Sequence, residues 1–264
     1  MARFDGGVTL TDRTIAALRH VHDHLAEVAS GLTESQLKSQ SGASEWTIAD
    51  VLSHLGSGSE INRYTLEKAL GDDAETPSNE EVWDRWNSLP PTEQASGFVE
   101  SSGALVALLE GLTEDQRVGT MVDLGFLPQP VPLATVLGMR INEVALHGWD
   151  VEVGLDPAAQ LTQESAELVI EHFATSLSFM LGFTGRKDGL PVTRLAMGDH
   201  TLVVADEGIR VAEGVTDPSA TFEGPVEAAV RLLSGRLSPE HTPAEVGVTG
   251  NLTLDELRAA FPGY

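Results

Sequence analysis

Between Arg140 and Asp150 the chain reads Arg-Ile-Asn-Glu-Val-Ala-Leu-His-Gly-Trp-Asp, a stretch with several side chains able to do chemistry together. Around and within it, Leu133, Val136, Leu137, Val144 and Val151 recur at steps of three and four, the mark of an amphipathic helix. At roughly 100° per residue, Arg140, Glu143, His147 and Asp150 fall in one narrow sector. That sector lies inside the apolar stripe, beside Val136 and Val144. Ionisable groups directed at a core are costly unless they pair or bind something. Glu143 and His147 are one helical turn apart, so both can reach a single metal ion. A buried ladder of ion pairs, Arg140 with Glu143 and His147 with Asp150, would also satisfy the pattern. This stretch alone leaves both readings open.

A metal site needs at least one more ligand from a facing element. Thr47 with Asp50 three residues on is a capping box, which predicts a helix starting at Thr47. Ile48, Val51, Leu52, Leu55, Thr65 and Leu66 trace its buried face, and His54 sits on the shoulder of that face. A shoulder histidine can also be a core residue bonded to a carbonyl. Trp46, just ahead of the cap, reads as a hydrophobic staple or a wall. In antiparallel bundles, metal sites are built from side chains projecting inward from facing helices. His54, Glu143 and His147 fit that plan. Two nitrogens and one carboxylate leave a position open on zinc, as in catalytic rather than structural sites. Asp150 is placed to fix the ring of His147 from behind.

The elements that must hold these residues are legible at lower resolution. Residues 11–29 read as a first helix with Ile15, Leu18, Val21, Leu25 and Val28 on one face. Its His20 and His24 share the opposite face, which makes them surface residues rather than ligands. A Ser/Gly-rich loop over 39–44 precedes the Thr47 helix. Residues 71–79 form an acidic loop, and a short helix over 80–88 carries Trp83 and Trp86. Pro90-Pro91 is expected to end it. A third long helix opens at Thr92 or Ser96. Pro128, Pro130 and Pro132 make 125–132 an extended crossover. Residues 1–155 thus read as an α-helical four-helix bundle with one long connection. Beyond Asp156 a helix is expected over 164–183. The period then shifts towards two over 194–197, 201–204, 209–212 and 220–222, separated by turn signals at Gly198-Asp199 and Asp206-Glu207-Gly208. A helix over 225–233, a strand over 244–248 and a helix over 252–261 complete a small α+β domain, residues 156–264.

The totals exclude several classes. A formal charge of −24 argues against a nucleic-acid partner, which would require a basic surface. There is no cysteine, so disulfides, thiolate ligands and a protein-borne thiol nucleophile are excluded. Gly-x-Ser-x-Gly is absent, which removes the commonest serine-hydrolase signal. Residues 1–11 hold no apolar run of signal-peptide length, and nothing downstream approaches a membrane span. A soluble, cytoplasmic, monomeric protein acting on small molecules with no membrane partner is therefore expected.

Two motifs, Trp46-Thr-Ile-Ala-Asp50-Val-Leu-Ser-His54-Leu and Arg140-x-x-Glu143-x-x-x-His147-Gly-Trp-Asp150, resemble the signatures of the mycothiol-dependent maleylpyruvate isomerase family, within the wider DinB-like group of bundles. The resemblance covers most of residues 10–155. The C-terminal segment is similar to that family's second, sterol-carrier-protein-like domain. The resemblance implies a divalent metal, zinc, held by His54, Glu143 and His147, and mycothiol as cosubstrate. It implies catalytic roles for Asp150 and for Arg236, in Ser-Gly-Arg after the second domain's helix, and thiol-cofactor contacts for Arg140 and Arg63. Arg236 has a second reading as a plain surface residue.

For the thiol users of such a family, the cation lowers the pKa of the thiol and supplies a nucleophile at neutral pH. In cis–trans isomerisation the thiolate adds to an activated double bond, the adduct rotates about the resulting single bond, and elimination returns the thiol. In S-transfer the conjugate is released. A cysteine-free chain suits a sulfur brought by a cosubstrate, but a hydrolase using zinc-activated water is equally cysteine-free. A non-catalytic carrier of an apolar ligand, with a structural metal, is the third reading.

Overall fold

The computed structural model describes residues 8–263. The chain divides into two compact units between Val151 and Glu152. In the first, four helices of twenty residues or more dominate: α1 (Leu10–Gly31), α3 (Ile48–Ala69), α5 (Pro91–Glu110) and α7 (Leu133–Val153). Three short helices lie between them, α2 (Glu34–Leu37), α4 (Asn79–Asn87) and α6 (Glu114–Gly119). The residues read for a leader peptide fall mostly outside the described ones.

Local chemistry explains where most of these helices start. Thr9, Thr33, Thr47, Ser78 and Thr113 each cap a helix with the side-chain oxygen and donate their own N–H to the acidic or amide side chain three positions on. The one-turn helices α2 and α6 were not expected from periodicity, although their Thr-x-x-Gln boxes were there to be read. At Pro90-Pro91 the structure differs from expectation. These prolines do not merely close α4; Pro90 caps α5 and Pro91 is its first residue. The missing N–H of proline costs nothing at that position, where no intrahelical partner exists.

α3 packs mainly on α5 and α4, and α1 on α5. Trp86 of α4 lies so close to Gly56 of α3 that a Cβ there would overlap its ring. α7 is buried nearly all round. It meets α1 where Gly148 faces Leu25, and meets α3 through Arg140, which donates from Nη2 to the Leu55 carbonyl at 3.0 Å and to the Ser59 hydroxyl. Between α6 and α7 the chain does not run extended over 125–132 as expected; residues 125–129 are a series of bends. The connection is tied by a two-residue antiparallel ladder of β1 (Met121–Val122) and β2 (Val131–Pro132).

The second unit is α+β. Its five strands, β3 (Thr193–Met197), β4 (His200–Ala205), β5 (Gly208–Glu213), β6 (Ala220–Glu223) and β7 (Gly247–Gly250), run in the order β5-β4-β3-β6-β7. β3 and β6 are parallel and the other neighbours antiparallel. The hairpins turn at Gly198-Asp199 and Asp206-Glu207, where the sequence signals lie. The last strand is displaced from the expected 244–248 to Gly247–Gly250. The helix expected over 164–183 is two: α8 (Gln163–Ala174) and α9 (Leu181–Thr184). It breaks at Thr175, whose hydroxyl bonds back to the Glu171 carbonyl at 2.7 Å while the His172 carbonyl accepts from both Thr175 and Leu177. The bond from the Leu177 N–H back to the His172 carbonyl, five residues earlier, is of the wrap-around kind that closes a helix C-terminus. α10 (Val226–Leu233) packs on α8, and α11 (Leu254–Ala260) closes the unit.

His20 and His24 are exposed on α1, as expected, but His22 between them is buried. It lines a small cavity with Ser102, Arg140 and Val144, and among the described residues its Nδ1 has no hydrogen-bond partner. Burial, with the nearby Arg19 charge, pushes its pKa below the ordinary 6.5 against the opposing pull of Asp23 and Glu110. As the pH falls below that ordinary value, the unfolded chain takes up a proton that the folded protein resists. Stability is therefore fully present above it and is lost towards the depressed folded pKa. Urea midpoints measured between about pH 7 and pH 5 should fall more steeply for the wild type than for His22→Leu. Parallel curves would refute this account of His22.

Candidate metal centre

His54 projects from the first half of α3, Glu143 and His147 from successive turns of α7. The Nε2 of His54 lies 3.0 Å from Glu143 Oε2, and the Nε2 of His147 lies 3.6 Å from the same oxygen. One ligand atom from each of the three falls within 4.8 Å of the others. Zinc bonds of roughly 2.0–2.1 Å at a tetrahedral angle hold ligand atoms about 3.4 Å apart. The two measured spacings bracket that value, so the donor set fits a divalent ion of zinc's size. The triad is graded in exposure: His54 and Glu143 keep 38% and 32% of their side-chain surface, His147 only 10%. Access is therefore from the His54 side.

Asp150 is sealed beneath this arrangement. Its Oδ2 stands 2.8 Å from His147 Nδ1, and a carboxylate can only accept there, so Nδ1 carries a proton and Nε2 is the nitrogen that faces Glu143. Burial alone would push the Glu143 carboxyl up. The hydrogen bond from His54, together with the charges of His147, His54 and Arg140, outweighs it and holds the pKa below the ordinary carboxylate value. Glu143 is thus kept as an anion, the form a metal requires.

Half of the alternative ion-pair ladder is present. His147 does pair with Asp150, but Arg140 turns away to the Leu55 carbonyl and the Ser59 hydroxyl of α3. Burial pushes its pKa down to about 10, with Glu143 opposing, which leaves it charged at neutral pH. At 5% exposure Arg140 is a pin between α7 and α3, not a group presented to a ligand. Arg63 is not brought to the triad either. It stands nine residues beyond His54 on α3, about 13.5 Å of rise and half a turn away, paired with Glu67 at 2.6 Å and stacked over Tyr64. Arg236 belongs to the second unit, half-buried in the turn that ends α10. There its N–H bonds the Arg231 carbonyl at 2.7 Å and its Nη1 the Ser234 carbonyl at 3.2 Å. Gly235 before it has φ 71° and abuts the Gly263 backbone, so only glycine fits.

The feature that sequence reading left undecided is Trp46. Its indole lies 5.1 Å from the His54 ring and 5.7 Å from that of His147, nearly parallel to the latter, and the two imidazoles are 4.7 Å apart edge to face. It is a wall of the triad. Its place immediately before the capped helix that carries His54 was the one signal available.

The sequence profile described as the mycothiol maleylpyruvate isomerase N-terminal domain matches residues 18–152. The chain belongs to that family. The matched span contains Trp46, His54, Arg63, Arg140, Glu143, His147 and Asp150; Arg236 lies beyond it. The family is one of enzymes, in keeping with the expectation from the motifs. Two crystal structures, of the mycothiol-dependent maleylpyruvate isomerase and of a mutant of it, align with this family member at a TM-score of 0.59 and 18% identity. Each covers 96% of this chain and 98% of its own. At that identity the likeness is one of fold, and it extends through both units. No curated protein matches the chain.

Proposed function

We propose that this chain is a divalent-metal enzyme that uses mycothiol to isomerise a small maleylpyruvate-like substrate. The observation that carries the reading is the convergence of His54, Glu143 and His147 from two helices, open on one side, in a member of this family. These three residues would hold the ion, zinc by donor type. Bound there, it would lower the pKa of a thiol and so supply a nucleophile at neutral pH.

The chain's own contribution is positional. Asp150 sets the tautomer of His147, Glu143 brings the anionic charge, and Arg140 locks α7 against α3 so that ligands from separate helices meet. Trp46 excludes water from one side of the cluster. In this reading the helical region forms a bundle domain extending to about residue 155 by the sequence pattern. The α+β region is its partner domain, and Arg236 there serves an anionic substrate group, for which arginine's fork is suited. Among the described residues no helix is long and apolar enough to cross a membrane. A cytoplasmic monomer without a nucleic-acid partner completes the proposal.

The test is isomerisation of maleylpyruvate by metal-loaded protein with and without mycothiol. Turnover is expected only with the thiol, and the thiol should be recovered unchanged. Consumption of the thiol into a stable conjugate would make the protein an S-transferase. Turnover without any thiol would replace this reading with a water-activating hydrolase.

A further inference from the structure

The two histidines of the triad are not held in the same way. The ring of His147 is fixed by the hydrogen bond between its Nδ1 and Asp150. His54 has no such support: its Nε2 faces Glu143, no group among the described residues bonds its Nδ1, and 38% of its side chain is exposed. An exposed imidazole with one polar contact should exchange rotamers and lose part of its affinity for any ligand that needs it oriented.

What stands against the His54 ring is the indole of Trp46, tilted 45° at 5.1 Å. The indole itself is held by a short, heavily bonded loop. The Trp46 carbonyl accepts from the Ser41 N–H at 3.1 Å, the Ser41 hydroxyl at 2.7 Å and the Gln40 amide at 3.0 Å. The Trp46 N–H donates to the Ala43 carbonyl at 3.1 Å, and Gln40 pairs with Thr47 as an isolated bridge. This loop is anchored to α7 at a telling residue: the Gly42 N–H donates to the main-chain carbonyl of Asp150 at 2.7 Å.

We propose that Trp46 is the positioning residue for His54, and that the loop over residues 40–46 and Asp150 together form one device that orients both imidazoles. Asp150 holds His147 through its side chain and the loop through its main chain, and the loop holds His54 through the face of Trp46. Steric and aromatic contact here takes the place that an outer hydrogen bond takes at His147. An aromatic face restrains a ring without competing for its nitrogens, so Nε2 is left facing Glu143. This rests on the metal reading for its purpose but not for its geometry.

The test compares Trp46→Leu and Trp46→Phe with the wild type, first without metal. Side-chain nuclear magnetic resonance should show the His54 ring carbon-bound protons displaced by the indole ring current and narrow in the wild type. In Trp46→Leu they should lose that displacement and broaden with exchange, while the Nδ1–H signal of His147 against Asp150 persists. Affinity for cobalt(II), read from its visible absorption by titration against a chelator, should fall about ten-fold in Trp46→Leu, the scale of an outer-shell loss. Trp46→Phe should recover most of it. Wild-type His54 signals and cobalt affinity in Trp46→Leu would overturn the proposal. So would equal losses in the Leu and Phe variants, which would make Trp46 a residue of the fold. If the wild type binds no cobalt while its His54 ring is still immobilised by Trp46, the metal reading fails and the positioning role stands.

Discussion

If the proposed function holds, replacing His54, Glu143 or His147 by alanine, one at a time, should strip the protein of the proposed divalent metal and abolish the proposed thiol-dependent turnover. Loss of a direct ligand should weaken metal binding by more than the roughly 10–100-fold typical of an outer-shell partner. Asp150→Asn supplies the graded comparison. It keeps the size of the side chain but no longer favours the Nδ1–H form of His147, so its loss should fall within that outer-shell range. His20→Ala and His24→Ala, on the exposed face of α1, should leave metal content unchanged. Far-ultraviolet circular dichroism must stay native throughout, because α1, α3, α5 and α7 bury continuous apolar faces without the ion. Metal analysis after dialysis checks the series, and full metal content in the His54→Ala protein would show the site to be wrongly drawn.

The second large effect is expected in the other unit and concerns stability rather than chemistry. Arg231 and Glu227 face each other on α10 with side-chain exposures of 2% and 6%. The guanidinium grips the carboxylate with both Nε and Nη2, at 2.7 and 2.9 Å, and its Nη1 reaches the His241 carbonyl at 2.8 Å. Glu227→Ala removes the countercharge and leaves a buried cation, which should cost about 3–5 kcal/mol. Replacing both at once, Glu227→Leu with Arg231→Met, should recover most of that loss, because apolar groups of similar volume carry no desolvation penalty. All four tryptophans, Trp46, Trp83, Trp86 and Trp149, lie in the first unit. Urea unfolding must therefore be followed by amide exchange or circular dichroism, since tryptophan fluorescence would report the wrong unit. A double variant no more stable than Glu227→Ala would count against the ion-pair account.

Much of this protein is local and could be read locally. The start of α3 follows from Thr47 and Asp50, because a capping box is closed within four residues. The Glu143–His147 pair follows from one turn of helix, and the Asp150 support for His147 from the next. The hairpins at Gly198-Asp199 and Asp206-Glu207 follow from turn chemistry and a period of two. Where local reading failed, it weighed the wrong local rule. Pro90-Pro91 reads as a stop, yet proline also suits a helix start, and apolar periodicity alone continues the helix that ends at Ala174.

The rest was decided by tertiary structure. Arg140 and Glu143 share a helical sector, and periodicity pairs them. In the folded protein the longer side chain reaches across to the Leu55 carbonyl and the Ser59 hydroxyl, since a buried guanidinium left without acceptors is the more costly alternative. His54 comes to Glu143 across 89 residues of chain, and Arg63 on the same helix does not, because register and rotation of α3 against α7 are set by the whole packed interface. Trp46 shows the division most plainly. Its type and its place before the cap are in the sequence, but its position over both imidazoles depends on a loop whose bonds run to Ser41, Gln40 and the main chain of Asp150. Periodicity carries the direction in which a side chain leaves its own helix; only the packing of one element on another decides what it meets there.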